Sequence, residues 1–346
     1  MANLNNLTPY SAITFPSIMP DGAGVDVVCV AARFAVPPQD ADRAAPLEVC
    51  AEQRPPPIDD MFWGTRGISS IRQEAQTAPM RLGTDIYVDG YVHAPRGEPA
   101  QTMTARVRVG PCAVSLLVFG DRVWQRALGG TALSAPAPFM SLPLCYERSF
   151  GGSILDDERL VAQEPRNPVG CGLYKDPAHA RDKPAPNFER PDQRIAAWND
   201  RPSPAGFGPV ARGWQPRLAL AGTFTETWMR TRAPLWPDDF DPRYYSAAAP
   251  GLVAPQRLSG GEPVELVGFS PVGALMFDLP RIRIGVRRVR RSGADRRVQM
   301  SLDGVLLEPE LRSVTLYLRT ALPAETAPSA RDVDIVRELE SWETAL

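Results

Sequence analysis

Of the 38 basic residues only Lys175 and Lys183 are lysine, and the chain has just two histidines, His93 and His179. The histidines lie far apart, with no HxxxH spacing, which removes the commonest zinc arrangements. Five cysteines form no CxxC pair, so neither a zinc ribbon nor a dithiol redox motif is present. There is no GxSxG and no GxxxxGK[ST], which excludes a nucleophile elbow and a P-loop of the usual form. No run reaches the ~20 apolar residues that span a bilayer. No basic residue precedes Arg33 and no signal-like apolar segment follows the first methionine, so a cytoplasmic location is expected. The net charge of −2 gives no global field to recruit nucleic acid.

Proline and glycine are abundant instead. The 37 prolines sit between apolar runs, and 44% of the residues are hydrophobic, so the chain is ordered and rich in rigid loops. Arginine carries nearly all the positive charge. Its planar fork suits bidentate contact with carboxylates and stacking on aromatic rings.

Strand signals recur along the chain. Val25 to Ala35 reads as a first core strand, and Pro55-Pro56-Pro57 as a rigid spacer. Ile86 to Val92 alternates, with Gly90 as a bulge, and is expected to form a meander with 106–109 and 115–119. Gly110-Pro111 marks the turn between the last two. Residues 125 to 213 are mostly turn-forming, a length of irregular chain that often carries a functional surface. Strands are expected again at Leu218–Phe224, Val264–Phe269, Ala274–Leu279 and Val314–Leu318. RIRIGVRRVRR and RRVQMSLDGVLL read as a hairpin around Ser292-Gly293-Ala294-Asp295. After a linker at 321–328, Ser329 to Asp332 suggests a helix cap. Val333, Val336, Leu339 and Trp342 then predict a short amphipathic C-terminal helix.

The predicted architecture is therefore mainly β: antiparallel, sandwich-like sheets with long Pro/Gly-rich ordered loops and a short C-terminal helix. Residues 1–320 form the β portion, with 125–213 as the boundary if there are two subdomains, and 321–346 form the linker and helix.

Several charged groups invite a functional reading. Asp238, Asp239 and Asp241 cluster between Pro237 and Pro242, without the glycine-centred loop or distal glutamate of a calcium site. Paired carboxylates for sugar chemistry could come from these or from Glu226, but no spacing fixes a pair. The arginines of 281–297 lack the interleaved aromatic residues of a nucleic-acid surface, so no specific nucleic acid is expected. Asp121-Arg122 and Glu147-Arg148 set opposite charges beside Trp124, Tyr146 and Phe150. Such groups either brace loops or form binding hot spots.

Read in order, the words FGDRVW, LPLCYERSFGG, Asn167 to Gly170, Pro204 to Pro209, Trp214 to Arg217, Gly222 to Phe224, Asp238 to Asp241 and Ser259 to Glu262 form a series. That series, over roughly 10–320, resembles the type VI secretion effector adaptor (chaperone) family, whose members are encoded beside VgrG and PAAR spike proteins. The resemblance implies a non-catalytic adaptor, without cofactor or metal, that binds an effector or PAAR-containing protein and helps load it onto VgrG. It implies no membrane insertion. Arg122, Trp124, Tyr146, Arg148 and Trp214 are the candidate partner-binding or loop-bracing residues. The alternative is a carbohydrate-binding or carbohydrate-active β-sandwich, which needs exposed tryptophans such as Trp63, Trp124 or Trp236 and two carboxylates in one cleft.

Overall fold

The computed structural model describes residues 3–38, 43, 45–128, 130–289, 295–324 and 333–339. It is mainly β and sandwich-like. A six-stranded sheet runs, edge to edge, through Val253–Ala254, Thr84–Val88, Ser301–Glu308, Ser313–Pro323, Gly24–Ala35 and Ser11–Ile18. All its pairings are antiparallel except that of Thr84–Val88 with Ser301–Glu308. A five-stranded antiparallel sheet orders Phe188–Glu189, Cys112–Phe119, Thr102–Val109, Pro263–Val267 and Leu275–Asp278.

Side chains from both sheets meet in one core. Val28, Val30, Ala32 and Phe34 of the first share it with Val107, Leu116, Val118 and Val264 of the second. The Gly24–Ala35 strand also buries its other face, where Cys29 and Arg33 project. A strand covered on both sides reads as a continuous apolar run instead of an alternation. The turn at Gly110-Pro111 joins its two strands as expected, with Val109 opposite Cys112.

Ile86 to Val92 is not one bulged strand. Thr84–Val88 belongs to the six-stranded sheet, whereas Tyr91–His93 pairs with Ser141–Pro143. The expected meander is therefore corrected: Thr84–Val88 lies in a different sheet from 102–119. Leu218–Phe224 is likewise not a strand. Arg217–Ala221 forms a 3-10 turn after Pro216, and Gly222 ends it at φ +83°, where a Cβ would stand 2.7 Å from Asp239.

The C-terminal helix is also corrected. Val333–Glu338 is a strand, parallel to Asn3–Asn6 and antiparallel to Ile284–Val289, in a four-stranded sheet with Arg296–Gln299. The three-residue spacing that suggested a helix competes with an alternation in which Asp334 and Val336, both fully buried, share a face. Two flanking strands supply backbone partners, and β-branched residues suit that setting. Ala321–Pro323, read as linker, completes the strand Ser313–Pro323. Ser329 to Asp332 and Trp342 lie outside the described residues, as do Ser292 to Ala294 of the arginine-rich hairpin. That hairpin forms with Val286 opposite Val298.

Arg288 of this hairpin is not solvent-facing. It is 1% exposed, grips Asp334 at 2.8 and 2.9 Å, and reaches Asp26 at 3.0 Å. It thereby ties the four-stranded sheet to the strand Gly24–Ala35. Among the described residues no helix is long and apolar enough to cross a membrane.

Candidate partner-binding site

The stretch from Gly120 to Pro255 contains only short strand pairs, so its shape depends on side chains. Trp124, on Arg122–Ala127, is 1% exposed and packs with Phe150, Tyr174, Ala185 and Ile195 in a small core of its own. Beside it, buried Arg122 meets Glu189 at 2.6 Å, donates to the Pro186 carbonyl, and stands 4.0 Å over the Phe119 ring. Glu189 also accepts from Arg194 and from the Ile195 backbone N–H, each at 3.1 Å.

Neighbours in sequence are not partners here. Asp121 takes Arg148 at 3.2 Å rather than Arg122, and Glu147 accepts from Ser70 N–H and Oγ at 2.7 and 2.6 Å. Asn187 joins the two halves: its amide nitrogen donates to Phe119 O and Asp121, and its oxygen accepts from Arg148 at 3.0 Å. Nothing in the sequence singled out Asn187 or Glu189, because Phe119, Asp121 and Arg122, which they tie down, lie 66 to 68 positions away.

Tyr146 and Trp214 form a second small core with Val210, their rings edge-to-face at 5.6 Å. The Tyr146 hydroxyl donates to Gly208 O at 3.3 Å. Gly206 lies under the same ring, and a Cβ there would come within 2.9 Å of it. Of the five candidate residues, four are thus buried and act as braces, and only the Arg148 side chain is partly exposed.

Below this region the outer face of the six-stranded sheet carries a buried charge network. Glu74 contacts Arg217 at 2.6 Å, Arg212 at 3.2 Å and Arg81 at 3.7 Å. Arg81 continues to Asp85 and Asp303, and Asp303 is held by Arg319 at 2.6 Å. Burial pushes the Glu74 carboxyl above its ordinary range, against the pull of Arg217 and Arg81.

Between the braces the surface opens into an elongated groove. One compartment, of about 340 Å³, is bordered by Tyr146, Arg166, Arg190, Pro204 and Gln215. The next, of about 530 Å³, is bordered by Leu82, Leu220, Arg243, Val253 and Pro255. Val210, Pro216 and Pro250 line both, so the two are continuous. The residues shared by the two compartments are apolar, and each compartment is also lined by arginines, Arg166 and Arg190 in the smaller, Arg217 and Arg243 in the larger.

Residues 21–319 match the family described as an uncharacterized protein conserved in bacteria (DUF2169). The chain belongs to that family. The DUF2169 match includes all five candidate residues and the whole groove, and its description names no activity, partner or secretion system. No curated protein and no solved structure matches the chain.

The remaining chemical candidates are occupied locally. Asp239 accepts from Thr223 N–H and Oγ1 at 2.9 and 2.7 Å, Asp241 binds Arg243, and Asp238 meets Arg232 at 2.9 Å. His179 accepts from the Lys175 N–H and packs edge-on against Tyr174. Among the described residues no group of three His, Cys, Asp or Glu side chains is placed to hold a metal. All five cysteines are free thiols, and burial pushes Cys29 up to about 11 and Cys171 to about 12.

Proposed function

We propose that this DUF2169 chain is a non-catalytic adaptor of type VI secretion. It binds an effector or PAAR-containing protein in the cytoplasm and helps load it onto the VgrG spike. One observation carries the reading: the ordered words that resemble the adaptor family fall on the braces of the grooved surface. FGDRVW supplies Phe119, Arg122 and Trp124, and LPLCYERSFGG supplies Tyr146 and Phe150. Pro204 to Pro209 and Trp214 to Arg217 supply Gly206 and Arg217. A surface preformed in this way loses little conformational entropy on binding, which suits a carrier that must hold cargo and release it intact.

Two observations weigh against a carbohydrate-active sandwich. Trp124 is buried, while Trp236 stacks on Phe240 at 4.4 Å and Trp63 packs edge-on to Tyr91 under Arg72. The clustered aspartates serve as loop braces. Likewise, Arg288 is committed to Asp334 and Asp26, which reduces the charge a nucleic acid would meet on the arginine-rich hairpin.

The test is co-expression with the effector or PAAR protein encoded beside it, followed by pull-down, together with deletion in the native cell. Recovery of a complex, and loss of that cargo's delivery while other type VI cargoes still leave, support the adaptor. Normal delivery in the deletion strain ends the reading.

A further inference from the structure

The groove ends at an open sheet edge. Val253–Ala254 is the last strand of the six-stranded sheet, and Val253 lines the larger compartment. The Ile86 N–H donates to Leu252 O at 2.9 Å, one step from the pairing of Val253 with Asp85. In an antiparallel ladder the hydrogen-bonded pairs alternate, so Val253 turns its own N–H and C=O outward, beside the groove. An extended chain lying there meets one donor and one acceptor of the sheet.

The opposite edge of this sheet is protected. Met19 N–H donates to Ala23 O at 2.8 Å, which by the same alternation places the nitrogen of Pro16, opposite Asp26, on the outer side. Proline there offers no donor to an incoming strand. Pro16 interrupts the row of outward donors on that edge, whereas the edge beside the groove carries no proline at Val253–Ala254.

Charge narrows the occupant further. Four arginines and no carboxylate line the two compartments. Arg217 is spent on Glu74, but Arg166, Arg190 and Arg243 have side chains 34%, 35% and 68% exposed. Each bonds a neighbouring acid through one face of its fork: Arg166 to Glu164, Arg190 to Asp192, Arg243 to Asp241. Arg166 and Arg190 stand in one compartment and Arg243 in the other, with Val210, Pro216 and Pro250 between them.

We infer that this groove binds an extended peptide segment with an apolar centre and acidic residues at both ends. The apolar side chains lie over Leu82, Leu220 and Val210, the backbone meets Val253, and the carboxylates reach Arg166 and Arg190 in one compartment and Arg243 in the other. Strand addition at an edge, with pockets for side chains, is a known mode of peptide capture. That the segment belongs to the secreted cargo rests on the adaptor reading; the chemistry of the groove does not.

The experiment uses the full chain and two labelled probes, Glu-Glu-Leu-Val-Leu-Glu-Glu and its lysine counterpart Lys-Lys-Leu-Val-Leu-Lys-Lys, followed by fluorescence anisotropy. The acidic probe is expected to bind at least about tenfold tighter than the basic one, more weakly as salt rises. Arg190→Glu with Arg243→Glu should reverse the preference, and Leu82→Glu, at a side chain 49% exposed, should weaken the acidic probe without unfolding the protein. Arg108→Glu, exposed on the five-stranded sheet, should change neither. Equal binding of both probes, or full binding by the variants at unchanged melting temperature, overturns the inference. A groove variant that loses the acidic probe yet still recovers cargo in the pull-down overturns the assignment of the bound segment to the cargo and spares the adaptor. A wild-type chain that binds the acidic probe but recovers no cargo sinks the adaptor and spares the groove.

Discussion

The two-sheet frame and the grooved segment from Gly120 to Pro255 are held by different physics. In the frame, Val, Leu and Ile from two long-stranded sheets share one core, and most backbone groups are satisfied in ladders. In the grooved segment the strands are two to six residues long, the apolar cores are small, and arginine–carboxylate contacts such as Arg122–Glu189 bridge loops far apart in sequence. Burial of apolar area tolerates some inexactness of shape, whereas charge-assisted hydrogen bonds fix positions within tenths of an ångström. The contrast teaches that where ladders are short a loop-built surface can take its shape from paired charged and polar side chains.

The strongest challenge to this division is Trp124→Ala. It removes the largest fully buried side chain among the described residues, at an expected cost of about 3–5 kcal/mol. If the segment has its own core, hydrogen exchange should rise across 120–200 while amides of Gly24–Ala35 stay protected. Uniform loss of protection would merge the two regions into one cooperative unit. Arg288→Met acts on the frame instead. It strands Asp334 at a fully buried position and leaves Asp26 without its Arg288 partner, with an expected loss of about 3–5 kcal/mol by denaturant titration. A loss confined to the grooved segment would contradict its place between the sheets.

Gly206→Ala should cost about 1–3 kcal/mol, because the new methyl group must push the Tyr146 ring that rests on Trp214. An unchanged melting temperature would mean that this part of the segment yields readily. Arg148→Ala should lower stability by about 1 kcal/mol or less, since its pair with Asp121 is largely solvated. Lost cargo binding at intact stability would assign Arg148 to the contact surface.

The smallest effect concerns pH. Burial alone would raise the Glu164 carboxyl, but the Arg166 bonds hold it below its ordinary value of 4.5. A lowered folded pKa means the stabilisation is present above 4.5 and is lost as pH falls through the lowered value. Thermal melts of wild type and Glu164→Gln between neutral pH and pH 3 should therefore converge at the acid end. Parallel curves would show that this pair contributes nothing.

Much of the frame was legible in the residues themselves. The alternation of 106–109, the Gly110-Pro111 turn and the continuous run at 25–35 specify strands through local sterics and burial, and these formed as read. Trp124, Tyr146 and Trp214 were singled out as contact or bracing candidates, and the structure buries all three. What failed had a common cause. The strand Val333–Glu338, the split of 84–93 between two sheets, and the turn at 217–221 each fit two local periods or none. Sequence by itself determined a mainly β, arginine-paired, loop-rich chain, because hydrophobic pattern and turn chemistry act over a few residues. Only the tertiary structure decided which arginine meets which carboxylate, that Val333–Glu338 adds a strand, and that a groove opens beside Val253. The pairs Arg122–Glu189, Arg217–Glu74 and Arg288–Asp334, like the added strand, depend on partners tens to hundreds of residues away, and no local pattern encodes them.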